Sequence, residues 1–126
     1  MSLVAEIYNI LVSYLNRVPD PEERLAYVKS FVIINELVNS GRMSVEDARR
    51  EVYDTVLSLL YRVRPDLFHP APKKLGGIIP SDEARKIASD ITTKIMQRIM
   101  MEARYRRFRK MFRALASSTT RISGLE

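Results

Sequence analysis

The chain has 126 residues, 46% of them hydrophobic and 29% charged, enough for one domain with a buried core and too apolar for a disordered segment. It has no cysteine and a single histidine, His69, which excludes disulfides, thiolate metal sites and cysteine nucleophiles and leaves almost nothing for a histidine-based centre. Its 21 Lys+Arg outweigh 15 Asp+Glu by six charges, unevenly: residues 1–60 hold six basic and nine acidic groups, residues 61–126 fifteen and six.

Three helices are expected in residues 1–64. Leu3, Ile7, Leu11 and Leu15 recur at helical spacing, and Val18-Pro19 stops them because the residue before proline avoids the α region. Asp20-Pro21-Glu22-Glu23 restarts a helix, with Asp20 as cap and Pro21 in the first turn. Leu25, Val28, Phe31, Val32, Asn35 and Val38 line one face before Asn39-Ser40-Gly41 ends it. Asn35, on that apolar face, reads as a satisfied or register-setting polar group. Ser44-Val45-Glu46-Asp47 opens the third helix, which runs to Arg64-Pro65.

Residues 65–80 hold four of the six prolines and two of the four glycines, too many for a helix. They are also too apolar for a floppy linker. An extended arm is expected, laid along its own bundle or a neighbour's, with Leu67 and Phe68 available for a subunit contact; a long loop tucked over its own core is the alternative. Lys73 and Lys74 are candidate phosphate contacts on it. Ser81-Asp82-Glu83 then caps a fourth helix over 81–117, with a tail from 118 to 126. At about 35 residues and about 52 Å, it overshoots a bundle of shorter partners or else kinks.

The last helix has two characters. Up to residue 97, Ala84, Ile87, Ile91 and Ile95 form an ordinary bundle stripe. From 98 to 113, Arg98, Arg104, Arg106, Arg107, Arg109, Lys110 and Arg113 face one acid, Glu102. On a helical wheel Met101, Tyr105, Phe108, Met111, Phe112 and Leu115 share about 120°, with the cations filling the rest. Four readings of this basic amphipathic segment stand side by side. They are a solvated face over the protein's own core, nucleic-acid backbone binding, a membrane-surface helix, and a partner-helix target. Backbone binding fits the charge density best, with Tyr105, Phe108, Phe112 and Leu115 packing on a neighbouring subunit. The cluster lacks Asn and Gln, with Gln97 just preceding it, so adenine-type bidentate readout has few candidates.

Nothing points to catalysis. The carboxylate pairs Glu22-Glu23, Glu46-Asp47 and Asp82-Glu83 all fall in first turns of expected helices, where the helix dipole explains them. No enzyme activity, metal, cofactor or small-molecule substrate is expected. The N-terminal residues lack the basic region of a signal peptide, and no stretch is long and apolar enough to span a membrane, so an intracellular protein is expected.

A short helical chain with a Pro/Gly arm over Pro65–Pro80 and an arginine-dense helix over Arg98–Arg113 resembles the major virion proteins of filamentous viruses of hyperthermophilic archaea. That resemblance implies an all-α bundle of about four helices that oligomerises, with itself or a paralogous subunit, around double-stranded DNA held in A-form. It also implies a location in the virion after assembly in the host cytoplasm. The alternatives are a dimeric transcription regulator or chromosomal DNA-binding protein, and a helical module that docks a protein or a membrane.

Overall fold

Four helices carry the fold: α1 (Leu3–Leu15), α2 (Pro21–Asn39), α3 (Val45–Val63) and α4 (Asp82–Leu125). The computed structural model describes residues 2–71 and 77–125, with the side chains of α4 described as far as Ser118. Each helix starts where a short polar side chain can satisfy a free backbone N–H. Ser2 Oγ accepts from Ala5 N, Asp20 Oδ1 from Glu22 N at 3.0 Å, Ser44 Oγ from Asp47 N at 3.1 Å, and Ser81 Oγ from Ala84 N at 3.2 Å.

α2 ends in a Schellman motif, with Arg42 N donating to Leu37 O (2.9 Å) and Gly41 N to Val38 O (3.1 Å). Gly41 holds the left-handed conformation this closure needs, with φ of 74° and open space around its α-carbon. Gly41→Ala should therefore lower stability by about 1–2 kcal/mol through backbone strain alone, read as a shift in the urea midpoint at unchanged m.

Ile7, Leu11, Leu15, Val18, Val28, Phe31, Ile34, Val52, Val56, Leu59 and Leu60 form the core with Ala88, Ile91, Ile95, Met96 and Ile99 of α4. The helices all touch one another, and α4 packs chiefly on α3. Two polar side chains lie among them. Asn35 (1% exposed) is not satisfied as its position suggests: its Oδ1 has no hydrogen-bond partner among the described residues, and neither does Thr92 Oγ1. The Asn35 backbone carbonyl instead accepts from Asn39 Nδ2 at 2.9 Å.

Residues 65–80 depart from the expected extended arm. Pro65–Leu67 form a 3₁₀ turn, and β1 (Phe68–Pro70) pairs antiparallel with β2 (Ile78–Pro80), His69 opposite Ile79. Prolines at the strand ends are tolerated because a two-stranded ladder is all edge. The hairpin folds back on its own body. Leu67 is buried, Phe68 packs edge-on against Tyr61 at 5.2 Å, and Ser81 N donates to Leu67 O at 2.8 Å. Leu67 and Phe68 thus contribute to the chain's own packing. Lys73 and Lys74 lie outside the described residues.

The fourth helix does not kink to fit. It continues as helix to Leu125, beyond the end expected at residue 117, giving 44 residues against 13, 19 and 19 for its partners. At 1.5 Å per residue that is about 66 Å against about 20–28 Å. The segment from 118 to 125 is helical, not a separate tail. Ile99 is the last buried residue of α4 among the described residues; Arg106 still reaches Glu36 of α2, and the helix runs on for about 28 Å past that point.

Candidate nucleic-acid interface

The overhang is rooted by a chain of ion pairs. Arg98 bonds to Glu6 of α1 and to Glu102 (3.4 Å), and its side chain is only 22% exposed. Glu102 also binds Arg106 at 2.9 Å, and Arg106 reaches Glu36 of α2 at 3.1 Å. Burial alone would lower the Arg106 pKa, but its hydrogen bonds to Glu36 and Glu102 carry it above the usual guanidinium value. Two of the seven cations expected to meet an anion are therefore already engaged inside the molecule. Glu102 is four residues from each, but their other partners, Glu6 and Glu36, lie 92 and 70 residues away in sequence, and no local pattern announces those two.

Arg104, Arg107, Arg109, Lys110 and Arg113 are exposed and make no ion pair among the described residues. Arg109 lies over the Tyr105 ring at 5.8 Å, a cation–π contact that leaves its charge intact. Together with the ion-paired Arg106, the five line two surfaces. Arg106, Arg109, Lys110 and Arg113 line one open groove along the helix. Arg104, Arg107 and Lys110 line a cleft of about 500 Å³ between the overhang and the α2–α3 turn, whose far wall includes Met43 and Ser44.

The phase of the helix explains how these faces are arranged. Taken at 100° per residue, Ala84, Ala88, Ile91, Ile95 and Ile99 define the face turned to the bundle. Arg106, Arg109, Lys110 and Arg113 continue that face within about 10°. Met101, Tyr105, Phe108, Met111, Phe112 and Leu115 centre about 140° away, nearly opposite. Below residue 100 that outer side carries Lys86, Asp90, Lys94 and Gln97, all exposed. The polar and apolar sides of α4 thus exchange places where it leaves the bundle. Reading the two stripes in separate windows hides the exchange; the phase between Ile99 and Met101 reveals it. The same wheel corrects Arg104, which falls between Met111 and Leu115 inside the apolar arc instead of on the basic side.

The outer stripe is bare. Met101, Tyr105, Phe108, Met111, Phe112 and Leu115 are each 60–64% exposed, and Phe108 and Phe112 stack at 6.3 Å. It has no bundle to cover it, because the bundle lies on the other side of the helix. No helix among the described residues is long and apolar enough to cross a membrane.

The pairing of Arg106 predicts a gain of function. Glu36→Gln should loosen Arg106 from the bundle and make it available to a phosphate, steepening the salt dependence of duplex binding by about 0.9 in log–log slope. A filter-binding or fluorescence-anisotropy titration at several salt concentrations reads it directly. An unchanged slope would show that Arg106 stays held by Glu102.

Comparison with protein-family models, with curated proteins and with solved structures finds no match to this chain.

Proposed function

We propose that this is a structural DNA-binding protein that packages double-stranded DNA, neutralising its backbone with the overhang of α4. One observation carries the reading: five cations, Arg104, Arg107, Arg109, Lys110 and Arg113, stand exposed without ion pairs among the described residues on the part of α4 beyond its last described buried residue. Packing a fold needs no such projection. A like-charge cluster of this density destabilises itself unless an anion lies against it. Its groove and cleft are rich in arginine and lysine, the side chains that most often contact phosphates.

A phosphate backbone lying against Arg106–Arg113 would run along the bundle side of the overhang. The apolar stripe lies exposed on the far side, where protein contacts can form. The same helix then presents two largely separate faces to two partners, as a filament subunit requires. Under this reading the protein is a virion component assembled around its DNA. Electron microscopy of the protein mixed with long duplex DNA tests it: regular filaments support packaging, discrete bound particles favour a dimeric regulator, and unchanged bare DNA overturns both. The outward apolar stripe is also what a membrane-surface helix needs. Flotation with anionic vesicles tests that second reading, and monomeric binding to vesicles without binding to duplex would favour it.

A further inference from the structure

We propose that the overhang is a self-pairing element: its outer stripe takes the same stripe of a second copy, antiparallel, about a two-fold axis at Phe108. The inference holds whether or not nucleic acid is the anion on the other face.

Three observations lead to it. The first is position. The stripe points away from the bundle, so a second helix can approach it without meeting the body of either chain.

The second is area. Five side chains, Met101, Tyr105, Phe108, Met111 and Phe112, each keep about three-fifths of their surface. At roughly 120 Å² apiece they offer about 600 Å² per partner. Two copies would bury about 1,200 Å², the lower edge of a stable interface.

The third is symmetry. A two-fold contact needs a patch complementary to itself. Counted from Phe108, Tyr105 and Met111 stand three residues to either side, and Arg104 and Phe112 four to either side. An antiparallel pair therefore sets Tyr105 against Met111 and the Arg104 guanidinium against the Phe112 ring of the other copy, in both halves at once. Thioether–aromatic and cation–π contacts are the favourable pairings for those groups. This also gives Arg104 a reason to sit inside the apolar arc. Opposed helix dipoles favour the antiparallel sense as well.

The charge opposes what the stripe promotes. Residues 98–113 carry a net of +6, from seven cations and Glu102, and pairing brings two such segments together. The screening length falls from about 10 Å at 0.1 M salt to about 3 Å at 1 M, so the repulsion weakens. Self-association should then tighten on the order of tenfold across that range, the reverse of DNA binding. A polyanion on the basic face would act as salt does, so that binding DNA promotes pairing.

The absence of cysteine makes the geometry directly testable in the full chain. Under mild oxidation at high salt, Phe108→Cys should link to its own copy. Tyr105→Cys alone should not, being offset by about 9 Å along the axis from its counterpart. Mixed with Met111→Cys it should link. Sedimentation velocity on the unmodified chain should show dimer growing with salt, and Phe108→Ser should abolish it with helicity unchanged. Self-linking of Tyr105→Cys would mean a parallel pair and overturn the proposal. So would a monomer at every salt concentration, or a monomer that adsorbs to phosphatidylserine vesicles through this stripe. Failure to bind duplex with the dimer intact would instead remove the DNA reading and leave this one standing.

Discussion

Binding to non-specific duplex DNA should weaken with salt along a line of slope about −4.5 in log K against log[salt]. Each neutralised phosphate contributes about −0.9, and five cations are free to make the contact. Between about 50 and 200 mM salt the affinity then falls about 500-fold. The seven cations of residues 98–113, taken at face value, would give a slope nearer −6. The two ion-paired arginines account for the difference, and single substitutions separate the classes. Arg107→Gln or Arg113→Gln should flatten the slope by about 0.9 on every sequence alike, leaving thermal stability close to that of the unmodified chain. Arg98→Gln should do the opposite. It leaves the slope unchanged and lowers the melting temperature, because Glu6 and Glu102 lose their shared partner in a half-buried setting. A loss confined to one DNA sequence would argue for a regulator. No binding of duplex at low salt would sink the DNA reading altogether.

What could be read from the chain, and what could not, follows the range of the interaction responsible. Helix starts at Asp20, Ser44 and Ser81, and the stop at Gly41, depend on hydrogen bonds within five residues, and each stands where the residue types place it. The long fourth helix was legible for the same reason, since no proline or glycine interrupts residues 81–123. The hairpin was not. Its strands are three residues each, rich in proline, and exist because His69 pairs with Ile79 in a register that no local pattern encodes. The pairing of Arg98 with Glu6 and of Arg106 with Glu36 is likewise tertiary. A charge count treats those arginines as equal to Arg107 until the helices are packed. The exchange of faces along α4 is a different case. It is written in the spacing of apolar residues and emerges once the bundle half and the overhang half are placed on one wheel.

Two phenylalanines make the sharpest contrast in stability. Phe31 on α2 is fully buried in the core, while Phe108 on the overhang is 60% exposed. Removing the Phe31 ring leaves a cavity walled by helices that cannot all collapse into it, and Phe31→Ala should cost about 3–5 kcal/mol. In a chain of this size that lowers the melting temperature by roughly 10–20 °C. Phe108→Ala should stay within about 0.5 kcal/mol, because its ring touches little beyond Phe112 and the bundle does not reach it. Circular dichroism melts at low protein concentration and low salt, where the overhang is unpaired, make the comparison. The ranking should reverse in an assembly assay: Phe31→Ala keeps self-association while folded, and Phe108→Ala loses it. Equal destabilisation by both would mean that the stripe packs on its own bundle. A large effect of Phe108→Ala only under assembling conditions locates its contribution between molecules, where the exchange of faces along α4 puts it.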